Sequence, residues 1–67
     1  MMITRIGIMA GEIWEYLEKH NRQALMSDII SDLEKDRDIA LMSIGWLARE
    51  GHVVLEGGSS NYMIKLT

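Results

Sequence analysis

The side chains that ordinarily carry catalysis are thinly spread in this sequence. It has two histidines, His20 and His52, and no cysteine. That excludes a disulfide staple and a Cys-based zinc site, and two isolated histidines do not make a metal site. Glu12, Glu15 and Glu18 recur every third position, which makes the wet face of a helix rather than a paired general acid and base. No serine, histidine and acid stand together in a catalytic motif. Gly57-Gly58 is followed by neither a helix nor a Lys-Ser/Thr pair, so it is not a phosphate loop. His52, beside Gly51, reads as a partly exposed strand residue. The expectation is a non-enzymatic protein with no catalytic residues, no metal, no cofactor and no small-molecule substrate.

The chemistry that remains is charge. Arg5, Lys19, Arg22, Lys35, Arg37, Arg49 and Lys65 are outnumbered by ten carboxylates, giving a net charge of −3. Strong phosphate binders carry a basic excess gathered on one face. These cations are scattered, so each reads first as a solvated surface charge.

The stretch 36–66 organises what must position them. Asp36 is a good N-cap, its carboxylate placed to accept a first-turn N–H. Asp38 suits the positive end of the helix dipole, and Gly51 is a natural stop. The helix between them has a strong apolar face of Ala40, Ile44 and Leu47, bordered by Ser43. A second arc holds Ile39, Met42 and Trp46, and Leu41, Gly45 and Ala48 lie round the other side. After Gly51 the pattern changes to period two: Val53 and Leu55 share one face, and Tyr62, Ile64 and Leu66 share one face of a partner strand. Residues 57–61 form a flexible Gly/Ser loop.

Upstream, Thr4 is a candidate cap for a helix over residues 6–20. Its expected inner face is Ile6, Ala10, Ile13, Trp14 and Leu17, and a Glu15–Lys19 pair favours it from outside. Gly7 and Gly11, one turn apart, leave room for a neighbour to approach the backbone. Asn21 suits the C′ position. Leu25 is the expected core anchor of a short connection able to form a brief strand against the later hairpin. Ser27 is a candidate N-cap for a helix over 28–34 that turns Ile29, Ile30 and Leu33 inward, and residues 34–36 make the turn into the third helix. Helix, short strand, helix, turn, helix and hairpin is the order of a winged helix-turn-helix. The expected fold is one α+β domain over 1–67, three helices with a C-terminal two- or three-stranded antiparallel wing.

Leu47-x-x-x-Gly51-x-Val53, followed by a glycine-rich hairpin, resembles the recognition-helix end and wing of winged-helix regulators. Ile6-Gly7, Ala10-Gly11-x-Ile13-Trp14 and Gly45-Trp46-Leu47-Ala48-Arg49-Glu50-Gly51 resemble a family of small, free-standing prokaryotic winged helix-turn-helix proteins of unassigned cellular role. The resemblance spans nearly the whole chain. It implies the fold, and through the wider superfamily a DNA-associated, transcription-regulator-like module binding double-stranded DNA.

In such folds the third helix enters the major groove and reads bases mainly from its N-terminal half. The DNA-contact candidates are therefore Arg37, Ser43, Arg49 and Lys65. Asp36 and Asp38 flank Arg37 and repel phosphate, Leu41, Met42 and Gly45 offer little beyond apolar contact, and the wing tip carries no cation. Readout is expected to be weak. The alternative is a protein-interaction or dimerisation module that keeps the fold without DNA binding. A helix apolar on nearly every side is normally buried on nearly every side, which one short chain can scarcely arrange. Association is the usual supplement for a small core without disulfide or metal. The expected homodimer contact is Leu41, Met42, Gly45 and Trp46, with Trp46 and Met42 open to either reading, core or interface. No apolar run approaches the ~20 residues of a membrane span and no signal-peptide pattern is present, so the expected location is cytoplasmic.

Overall fold

The computed structural model describes residues 2–33, 36–57 and 61–67. The chain runs α1 (Met2–Lys19), β1 (Gln23–Leu25), α2 (Met26–Leu33), α3 (Arg37–Arg49), β2 (Val53–Glu56) and β3 (Met63–Leu66). The strands form one antiparallel sheet in the order β1-β3-β2. This is the expected α+β winged helix-turn-helix, with β1 as the third strand of the wing.

Both long helices stop as their sequences require. Asn21 has φ +62 and takes the left-handed C′ place, and the Arg22 N–H reaches back to the Leu17 carbonyl at 2.8 Å. In α3 the same role falls to Gly51, at φ +80. The His52 N–H bonds the Leu47 carbonyl at 2.9 Å and the Gly51 N–H bonds that of Ala48 at 3.1 Å, the paired bonds of a Schellman cap. At the other end of α3, the Asp36 carboxylate accepts from the N–H groups of Asp38 (2.9 Å) and Ile39 (3.3 Å).

Arg22 is a non-glycine residue at φ +66, and its surroundings hold it there. Its guanidinium donates to Glu18 at 2.9 Å and to the Thr67 carbonyl at 2.8 Å, while its own carbonyl accepts from Leu66. One side chain thus ties the end of α1 to the end of β3.

The core lies between α1, α3 and the sheet. Ile13, Leu17, Ile29 and Ile64 are fully enclosed, with Ile44, Leu47, Val53, Ala10, Met9 and Ile39 around them. Across the sheet, Ile64 pairs with Ala24 on one side and Leu55 on the other.

Several expectations are corrected. α1 begins at Met2, so Thr4 lies inside the helix and does not cap it. Trp14 stays 41% exposed and Met9 fills the core instead; the apolar arc of α1 is wider than its contact with the rest of the fold. Ile39 belongs to the core, because the side of α3 nearest α1 is broader than the Ala40–Ile44–Leu47 face. Leu25 is exposed and Ala24 packs inward, so the alternation in β1 is opposite to that expected. Leu55 is 44% exposed; period two directs it as Val53, but two residues further along the strand it has passed the cover of the helices. Ser27 sits in the first turn of α2 rather than before it. Its N–H and hydroxyl both bond the Asn61 side chain, at 3.2 and 2.8 Å, so the cap comes from across the wing. Of the expected turn over 34–36, residues 34 and 35 lie outside the described residues, and so do residues 58–60 of the expected 57–61 loop.

Candidate interaction surface on the third helix

The outer side of α3 follows from its sequence. With Ile39, Ala40, Ser43, Ile44 and Leu47 buried, the residues at intervals of four, three and four, namely Asp38, Met42, Gly45 and Arg49, form one exposed stripe. Leu41 borders it on one side, half-buried, and Trp46 on the other. Met42 is 43% and Trp46 45% exposed. Within this chain Trp46 therefore does not close the core. It tilts against His52 with ring centroids 6.3 Å apart.

The surface continues onto α1. Gly7, Gly11 and Trp14 of α1 share a shallow groove with Trp46 and His52. A Cβ added at Gly7, Gly11 or Gly45 would meet nothing within 4 Å. Glycine inside a helix costs about 1 kcal/mol relative to alanine, and no contact within the chain explains that cost at these three positions.

Of the DNA-contact candidates, Arg37 and Arg49 are exposed at opposite ends of α3. Ser43 is fully buried. Its hydroxyl donates to the Ile39 carbonyl at 2.7 Å and stands 3.1 Å from that of Ile6, fastening α3 to α1, and it drops out of the candidate base contacts. Lys65, on β3, pairs with Glu56 across the hairpin at 2.9 Å. Arg5 approaches the capping Asp36 at 3.9 Å. The arrangement brings Leu41, Met42, Gly45 and Trp46 onto one side of the molecule.

Elsewhere on α1, the Tyr16 hydroxyl donates to Asp32 of α2 at 2.6 Å, and the ring stacks on His20 at 3.9 Å. That hydrogen bond, with burial and the negative charges of Asp32 and Asp28, pushes the phenol up to about 12. The contact joins α1 to α2. Among the described residues, no group of three or more His, Asp and Glu is placed to hold a metal ion, and no helix is long and apolar enough to cross a membrane.

Inspection of the sequence missed Trp14 as part of this surface, although it sits on the Gly7–Gly11 flank of the apolar arc. It also missed that Asp38 and Arg49 close the two ends of the Met42–Gly45 stripe, which the four-three-four spacing already contains.

Three helices with a β1-β3-β2 sheet, α2 ending at Leu33 and α3 beginning at Arg37, and β2–β3 as adjacent antiparallel strands, define a winged helix-turn-helix domain, an architecture of DNA-associated proteins as a class. The family described as winged helix-turn-helix domain (DUF2582) matches residues 1–66. The chain belongs to that family. No curated protein and no solved structure matches the chain.

Proposed function

We propose that this single winged-helix domain is a cytoplasmic, non-enzymatic interaction module that turns α3 to protein contact rather than base readout. The observation that carries the reading is the outer side of α3. Half-exposed Met42 and Trp46 and the bare backbone of Gly45 occupy the place where a DNA reader presents Arg, Lys, Asn or Gln, and Asp38 sets a negative charge where phosphate would approach.

A second reading, a DNA-associated and transcription-regulator-like module with weak readout, is favoured by the family fold and by exposed Arg37 and Arg49. The net charge of −3 weakens the phosphate attraction that supplies sequence-independent binding, so contact with DNA is expected to be weak. Titration of labelled random duplex DNA over a salt series separates the two. The interaction reading expects binding no tighter than the roughly 10⁻⁴–10⁻⁶ M of non-specific association at physiological salt, with a shallow salt slope. Sub-micromolar preference for one duplex over scrambled DNA would overturn it.

A further inference from the structure

We propose that the outer face of α3 is covered by α3 of a second copy of this chain, packed antiparallel about a twofold axis. Asp38 of each copy faces the partner's Arg49, and Met42 faces the partner's Gly45. The inference rests on the reading of α3 as a protein-contact helix and names its partner.

The stripe Asp38, Met42, Gly45, Arg49 is symmetric about the point between Ser43 and Ile44. An antiparallel twofold contact is isologous, so it sets the first position of the stripe against the last and the second against the third. Each pairing is complementary. At both ends a carboxylate meets a guanidinium. In the middle a long, unbranched apolar side chain meets a position with no side chain, where a Cβ has open space. A parallel pairing would set Asp38 against Asp38 and Arg49 against Arg49, and like charges across an interface suppress it.

Among the described residues, neither the Asp38 nor the Arg49 side chain makes an ion pair within the chain. An acid in the first turn and a base in the last complement the helix dipole, which accounts for the sign at each end. It does not account for both lying on the same stripe as Met42 and Gly45. DNA fits the face less well, because Asp38 would stand against phosphate. An unrelated apolar partner would use Met42 and Trp46 but leaves the charged ends unexplained.

Size sets the strength. The 13 residues of α3 make a face about 20 Å long at 1.5 Å per residue. That alone falls short of the roughly 800 Å² per partner in a standard interface. The flank of α1 carrying Gly7, Gly11 and Trp14 lies across the groove from Trp46 and extends the face. The expected dimer is of micromolar strength.

Sedimentation equilibrium of the whole chain tests this, using the wild type, Asp38→Arg, Arg49→Asp, the double exchange D38R/R49D, and Gly45→Leu. The wild type should dimerise below the high micromolar range. Each single charge variant should weaken association about tenfold or more, since both symmetric pairs become like-charged. The double exchange should restore it, which a merely unfolded variant cannot do. Gly45→Leu, at an open helical position, should keep the fold by circular dichroism and abolish the dimer. A wild type that stays monomeric overturns the proposal, as does a dimer indifferent to Gly45→Leu or to the single charge variants. A double exchange that fails to restore a dimer, while still folded, overturns the Asp38–Arg49 pairing. The wider reading falls on a different result, tight binding to one duplex DNA.

Discussion

Replacing Gly45 by alanine should have opposite effects on the single chain and on its association. Alanine is about 1 kcal/mol better than glycine in a helix interior, and beyond the local backbone of α3 the added Cβ meets nothing within 4 Å. The dilute monomer should therefore gain about 1 kcal/mol, which raises Tm by roughly 4–8 °C for a domain of 60–100 residues. In the antiparallel pair the same methyl stands under the partner's Met42 and recurs by symmetry, so it should weaken the dimer. Thermal unfolding followed by circular dichroism over a wide range of protein concentration reads both. The wild type should gain Tm with concentration, because association draws on the folded state. The variant should gain less, and its advantage at high dilution should shrink or reverse. Gly51→Ala is the contrast, since φ +80 makes alanine costly there at every concentration. A Gly45→Ala chain less stable than wild type at the highest dilution would refute the open-space argument. An equal advantage at all concentrations would remove Gly45 from any contact.

Asp36→Ala should lower stability by about 1 kcal/mol, the usual loss of an N-cap, measured by denaturant unfolding; the 3.9 Å contact with Arg5 is exposed and adds little. Tyr16 should titrate near 12 rather than near its ordinary value of about 10. Because the folded value is raised, the Tyr16–Asp32 contact stabilises fully below about pH 10 and is lost as pH rises towards 12. Tyr16→Phe should flatten the fall of Tm in that window, and phenolate absorbance showing Tyr16 ionising near its ordinary value of about 10 would count against the hydrogen bond. If duplex DNA binds at all, Arg37→Ala should weaken it more than Lys19→Ala, because Arg37 opens α3 whereas Lys19 ends α1; equal losses would point to diffuse attraction.

Much of the fold was legible because local rules agreed with one another. Asp36, Gly51 and Asn21 act through their own backbone neighbourhood, so they mark helix ends without knowledge of the rest. Period two placed Val53 and Ile64 inside for the same reason. The failures lie where burial depends on the reach of a distant element. Trp14 and Met9 are both apolar on α1, and only the position of α3 decides which is covered. Leu55 has the right parity but lies beyond the helices. Ser43 looked like a donor available to a ligand, whereas the approach of α1 at Ile6 enclosed it. On the candidate surface, Leu41, Met42, Gly45 and Trp46 were legible as an excess of apolar residues on a helix whose core side was already filled. The pairing of Asp38 with Arg49 needed the buried side of α3 to be fixed first, since only then does the opposite stripe become defined.

The most direct test of what α3 meets uses its own tryptophan. In a Trp14→Phe chain, Trp46 is the remaining indole, 45% exposed within one copy. Its emission should shift to shorter wavelength as protein concentration rises through the micromolar range, and duplex DNA added to the dilute chain should leave it unchanged. Emission constant up to high micromolar protein, but altered by duplex DNA, would contradict the account and return α3 to the groove of a nucleic acid.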